Sequence, residues 1–276
     1  MHRFKHATRM TDHRVASTSG TLAARVITPA DQSGLPPLVV LHGISRNADE
    51  LAALFAPEAE KHGRSVVVPH FTEKAWPHFQ RPCRASRPDQ ALLALIVRLG
   101  TIDPALAGPV DLFGHSGGAQ LAHRFAMLYP HKIARLSLAA AGWYCLPDTS
   151  MAYPYGLGLD TAAGSLSWAR RHKQALPAYL GLPVQVFVGT ADHQRDDTLR
   201  TSPDLDRLQG LTRIARAETY VARFRAAALA QGIAPDVTLT RLPGVSHDVG
   251  QAIRDAGLAR MIMAKPTTHH NLAAAS

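Results

Sequence analysis

Cysteine is scarce in this sequence, and long apolar runs are absent. Cys83 and Cys145 are its only cysteines. That is too few for a disulfide-dense scaffold, and the pair has no metal-binding or redox spacing. Two free thiols in a reducing compartment are expected rather than a bridge. Nowhere do about 18 apolar residues run together, so no transmembrane helix is expected. Residues 1–14 are basic and polar, with no apolar run behind the charges. That is not a secretory-signal pattern, and a cytoplasmic location is expected. Acidic residues are outnumbered, 21 against 30 lysines and arginines, for a net charge of +9. Such an excess can attract nucleic acid, anionic lipid or an acidic substrate. The arginines are scattered, however, and no basic block interleaves with aromatics, so no nucleic-acid partner is expected. The histidines form neither an HExxH motif nor a Cys/His cluster, so no metal site is expected. His269 and His270 fall in a polar tail, residues 265–276, expected to be disordered.

What remains is a chain of 276 residues, 46% hydrophobic and 18% charged, enough to bury the core of one large α/β domain. No internal repeat and no shift of composition divides it, so residues 15–264 are expected to form a single domain behind a flexible basic segment, 1–14. Residues 14–27 read as a hairpin turning at Ser19-Gly20. Short, wholly apolar runs at 38–41, 65–68, 110–113, 133–140 and 184–188 read as strands buried on both faces, and 237–242 reads as the last strand. Helical patterns alternate with them over 48–62, capped by Asn47, then 89–99, ended by Gly100, then 119–129, 208–231 and 249–263. Residues 70–88 form a long loop. Residues 142–182 form the longest irregular connection, with no pair of amphipathic helices able to make a broad lid. Alternation of this kind implies a mostly parallel sheet with helices on both faces.

The chemistry gathers at Gly114-His115-Ser116-Gly117-Gly118, where the strand at 110–113 meets a helix. A serine hydroxyl is a poor nucleophile, and it must stand clear of the backbone for a base to reach it. A tight strand-to-helix turn does this, at the cost of strained backbone geometry at the serine. Gly114 and Gly118 leave the necessary room, and Gly117 lets the helix start close by. The helix N-terminus also aims backbone N–H groups at negative charge forming beside Ser116.

Leu41-His42-Gly43, the Gly114-to-Gly118 turn, Gly189-Thr190-Ala191-Asp192 and Gly244-Val245-Ser246-His247 together resemble the α/β-hydrolase fold family. They stand in that family's order of nucleophile, acid, histidine. The Gly-Gly after the serine and the Trp76-Pro77 loop are reminiscent of its esterase and polyhydroxybutyrate-depolymerase-like branches. The chain departs from lipases that carry His-Gly-Gly-Gly, since Ile44 stands third here, and it lacks the large helical cap of many relatives.

The resemblance implies an α/β-hydrolase fold with a small cap or none. It makes Ser116 the nucleophile and His247 the base, and Asp192 the acid that fixes the histidine's tautomer. Asp196 and Asp197 lie close by, and Asp148 and Asp160 are alternatives from the preceding connection. The backbone N–H groups of Ile44 and Gly117 become the oxyanion donors, with His42 bracing their loop. Trp76, Trp143 and Tyr144 follow strand ends that face the site, so they either line a substrate pocket or anchor loops. The implied activity is hydrolysis of a small-molecule or polymeric carboxylic ester, with no cofactor. Thioester, amide and acyl-transfer chemistry use the same machinery, and a non-catalytic binding protein on this fold is a further alternative.

Overall fold

The computed structural model describes residues 8–158 and 165–265. Among them, eight strands form one sheet: β1 (Arg9–Ser17), β2 (Gly20–Thr28), β3 (Leu38–Leu41), β4 (Val66–His70), β5 (Val110–His115), β6 (Ile133–Ala139), β7 (Val184–Gly189) and β8 (Val237–Leu242). Their spatial order is β1-β2-β4-β3-β5-β6-β7-β8. The β1–β2 hairpin and the β2–β4 pairing are antiparallel, and every pairing from β4 through β3 to β8 is parallel.

Nine α-helices accompany the sheet among the described residues: α1 (Ala48–His62), α2 (Pro88–Ile102), α3 (Gly117–Leu128), α4 (Ser165–Gln174), α5 (Leu176–Leu180), α6 (Pro203–Gln209), α7 (Arg213–Ala230), α8 (Val249–Arg254) and α9 (Leu258–Met263). The strand side chains alternate between two cores, as a period of two requires. Leu38, Val40, Val66 and Phe113 pack with Leu51 and Phe55 of α1 and with α8 and α9. Val39, Leu41, Leu112 and Leu136 pack with α2, α3 and α7 on the other face. Burial on both faces explains why the central strands read as unbroken apolar runs. None of the described helices is long and apolar enough to cross a membrane. Both cysteines are free thiols, Cys145 buried and Cys83 partly so.

Several boundaries differ from the sequence expectation. Strand β1 begins at Arg9, because the whole of 9–17 finds partners along β2. Helix α2 runs through Gly100 to Ile102. That glycine is a packing residue, since a Cβ there would lie 3.0 Å from the Ala107 Cα of the returning chain. Asn47 stands at the α1 N-cap position, but its side chain makes no capping bond and donates to Glu50 instead. The expected helix over 208–231 is interrupted at Gly210, whose φ of +107° breaks α6 from α7, and Thr212 caps the new start. Gly257, at φ +68°, likewise divides the closing helix into α8 and α9. The connection over 142–182 contains α4 and α5, with Trp168, Tyr179 and Leu180 buried in the core. Residues 1–7, Asp160 and the tail with His269 and His270 lie outside the described residues.

Candidate active site

Parallel register brings the sequence motifs to one edge of the sheet. Leu41 pairs with Gly114, His115 with Ala139, and Gly189 with Leu242, so the loops after β3, β5, β7 and β8 leave from the same side. Open α/β sheets bind ligands outside these carboxyl ends.

Ser116 holds φ +53° and ψ −115°, a costly conformation for a residue with a side chain. Its neighbours leave no space for relaxation. A Cβ on Gly114 would lie 2.3 Å from Gly118 O, and a Cβ on Gly118 would lie 2.3 Å from Leu41 O. The turn thus lifts the serine above the sheet, where its hydroxyl donates to His247 Nε2 at 3.0 Å. His247 Nδ1 donates in turn to Asp192 Oδ2 at 2.9 Å. Ser116, Asp192 and His247 therefore form one hydrogen-bonded line.

His247 must reach across the ends of two strands to meet Ser116. The loop after β8 lies down over the end of β7 to achieve this. Thr190 N donates to Leu242 O, Ala191 N donates to Val245 O, and Gly244 N donates to Thr190 Oγ1. Gly189 permits the approach, since a Cβ there would sit 2.0 Å from Val245 O. Gln251 of α8 clasps the loop from behind. Its Oε1 accepts from Ser246 N at 2.9 Å and from Ser246 Oγ at 2.8 Å.

Asp192 is 2% exposed, and its second oxygen accepts from Arg213 Nη1 at 3.1 Å. Arg213, itself buried, also donates to Asp196 and to Thr198 Oγ1, and so ties Asp192 to the loop that follows it. Its guanidinium, first by hydrogen bonding, holds the Asp196 carboxyl far below the usual carboxylate range. Asp196 is therefore part of the surroundings of Asp192, not a partner of Arg195 or Arg200; Arg195 pairs with Asp206. Asp148 pairs with Arg223 at 3.3 Å and with its own loop at Ser150, away from His247.

The loop after β3 brings Ile44 beside the start of α3. A Cβ on Gly117 would lie 2.9 Å from Ile44 Cγ2 and 3.5 Å from Ile44 N. Ile44 N donates to no backbone carbonyl among the described residues, and Gly117 N belongs to the first turn of α3, where N–H groups lack helical partners. His42 braces this loop. Its Nδ1 donates to Gly43 O at 2.7 Å while its Nε2 accepts from Phe71 N at 3.0 Å. Burial pushes His42 down to about 4, so the ring stays neutral and keeps both bonds. His115 is packed with its ring 5.0 Å from that of His247, and burial, then the charges of His247 and Arg213, keep it well below the ordinary imidazole range.

A cavity of about 300 Å³ opens beside Ser116, lined by Ile44, Gln80, Arg81, Gln120, Trp143 and Arg200 among others. Of the three aromatic residues expected near the site, Trp143 alone lines this cavity. Trp76 is buried under the β1–β2 turn, 3.1 Å from where a Gly20 Cβ would be, with its ring 5.7 Å from Phe71. Tyr144 is buried against Tyr220, the rings stacked at 4.4 Å. Both are anchors because their chains turn back into the core before reaching the mouth. Gln120 Oε1, on the cavity wall, is buried without a hydrogen-bond partner among the described residues. Arg213, Gln251 and the cavity arginines escaped the sequence reading. Nothing in their local pattern announces contacts made across the fold.

Comparison with known proteins gives fold-level likeness. No protein-family model and no curated protein matches the chain. Among solved structures, it is similar to a poly(aspartic acid) hydrolase from Sphingomonas sp. KT-1, at 24% identity over 94% of this chain and 98% of the other, with TM-score 0.73. A poly(3-hydroxybutyrate) depolymerase from Bordetella parapertussis matches at 27% identity over 93% and 95%, TM-score 0.71. An S-formylglutathione hydrolase from Agrobacterium tumefaciens matches at 16% identity over 93% and 92%, TM-score 0.58.

Proposed function

We propose that this chain, an enzyme of the α/β-hydrolase fold, hydrolyses carboxylic esters through an acyl-enzyme on Ser116, with His247 as base and Asp192 as acid. The observation that carries the reading is the line from Ser116 Oγ through His247 to Asp192, at 3.0 and 2.9 Å, on a serine held at φ +53°. Two of the similar structures are named for hydrolysis of polymers, a polyacid and a polyester, which supports a hydrolytic role without choosing the substrate.

His247 takes the hydroxyl proton at Nε2 as Ser116 Oγ attacks the ester carbonyl carbon. Asp192 holds Nδ1–H and stabilises the imidazolium that forms. The carbonyl oxygen gains negative charge and accepts from the N–H groups of Ile44 and Gly117. Collapse of this intermediate expels the alcohol, protonated by His247. Water then enters, gives its proton to His247, attacks the acyl carbon and releases the acid, restoring Ser116.

A fluorophosphonate probe tests the nucleophile directly. It should label wild-type protein on Ser116, and Ser116→Ala should abolish both labelling and cleavage of 4-nitrophenyl esters. Labelling or ester cleavage that survives the substitution in folded protein contradicts the assignment.

A further inference from the structure

Among the described residues, the cavity beside Ser116 is lined by two arginines, Arg81 and Arg200, and by no acidic side chain. Elsewhere, arginines around this sheet answer carboxylates: Arg46 meets Glu73, Arg87 meets Asp89, Arg216 meets Asp206. Arg81 and Arg200 have no carboxylate partner among the described residues. Arg200 lies over aromatic rings instead, 5.5 Å from the Trp143 centroid and 6.0 Å from that of Tyr155.

A third cation stands behind the same wall. Arg124 is fully buried, with its guanidinium 4.4 Å from the Trp143 centroid. Its Nη1 donates to Gln120 O at 2.9 Å, while Nε and Nη2 have no hydrogen-bond partner among the described residues. Buried charge without a counter-ion is costly, and its field extends into whatever low-dielectric space adjoins it. The nearest catalytic carboxylate, Asp192, is already engaged by His247 and Arg213. The cavity therefore presents uncompensated positive charge beside the nucleophile. Arg81 and Arg200 are both exposed.

Resting on the ester-hydrolase reading above, we infer that the site selects anionic substrates, esters whose body carries a carboxylate that pairs with Arg81 and Arg200. Guanidinium forks match carboxylates in geometry as well as charge. Gln80, Gln120 and Thr198 supply neutral polar contacts around the same space.

The test compares two chromogenic esters of equal chain length, 4-nitrophenyl hydrogen adipate and 4-nitrophenyl hexanoate. They share the scissile bond and leaving group and differ in one distal carboxylate. Wild-type protein should favour the adipate by about tenfold in kcat/KM at low salt, as two partly exposed ion contacts worth a few-fold each would give. Salt should shrink that preference, because these contacts lie within reach of counter-ions. The Arg81→Gln/Arg200→Gln double variant should bring the ratio to within about threefold of unity, and the corresponding double lysine variant should keep most of it. Because the readout is a ratio, a partly unfolded preparation does not imitate the result. Arg81→Gln alone, at an exposed position, gives a second reading with little risk to folding. Equal rates for the two esters in wild-type protein, or a preference that survives the double glutamine variant, overturn the inference and leave the ester-hydrolase reading standing. Failure of wild-type protein to cleave either ester, with no fluorophosphonate labelling of Ser116, removes the underlying reading and this inference with it.

Discussion

Asp192 uses both of its oxygens, one toward His247 and one toward Arg213. Replacing it with asparagine removes the charge that steadies the imidazolium and permits the wrong tautomer. Asp192→Asn should therefore lower kcat by about two to four orders of magnitude in protein whose circular dichroism is unchanged. The neighbouring Asp196 shares Arg213, but it is 39% exposed on its side chain and touches neither His247 nor Ser116. Asp196→Asn leaves Arg213 with Asp192 as its remaining carboxylate and draws that oxygen's charge further from the histidine. The expected loss is real but below about tenfold, the scale of a substitution away from the reacting atoms. A dead, folded Asp196→Asn beside an active Asp192→Asn would reverse the two roles.

The elements determine whether these side chains meet at all, and Gly189 is where that is most exposed to test. Its missing Cβ lets the β8 loop lie on the end of β7 and carry His247 to Ser116. Gly189→Ala must push Val245 away, and a displacement near 1 Å at a catalytic group costs about a hundredfold. We expect kcat to fall by about that factor while the melting temperature falls modestly. A fully active Gly189→Ala protein would show that the loop has slack the packing does not indicate. The elements bearing on this were partly legible in the sequence. Apolar strand runs and the Gly114-to-Gly118 turn carry local signals, because burial on both faces and a strained turn each demand particular residues on the spot. Gly189 and His247 were legible through family resemblance. Arg213 and Gln251 were not, because each acts on a residue distant in sequence and sits in an ordinary helix pattern. The same limit explains Trp76 and Tyr144. A large aromatic after a strand end looks alike whether the chain turns toward the cavity or back into the core.

At the scale of the whole molecule, four buried histidines set how the fold responds to acid. Burial pushes His42 and His172 down to about 4, and His115 and His123 lie well below the ordinary imidazole range for the same first reason. Two of them make bonds that require a neutral ring: His42 accepts from Phe71 N, and His123 accepts from Cys145 N at 2.9 Å through Nε2 while its Nδ1 donates to Ala119 O. In the unfolded chain these rings regain a pKa of about 6.5. Below that pH the unfolded state binds protons that the folded state does not, so acid favours unfolding. The stabilising effect of each neutral ring is complete above about pH 6.5 and declines as pH falls toward the folded-state value. For His42 and His172 the decline reaches roughly 3 kcal/mol each by pH 4. The net charge of +9 adds self-repulsion in the same direction as further groups become protonated. Thermal or urea denaturation should therefore show stability falling steeply between pH 6.5 and 4, well before most carboxylates titrate. His172 provides the specific control, because it stands on α4 away from the candidate triad and its Nε2 has no hydrogen-bond partner among the described residues. His172→Leu removes one proton-uptake site from the unfolded chain. Whatever it does to absolute stability, it should make the slope over this interval shallower by up to about 1.4 kcal/mol per pH unit. Stability that stays level from pH 7 to 4, or a slope unmoved by His172→Leu, would mean that these rings admit protons without loss of the fold.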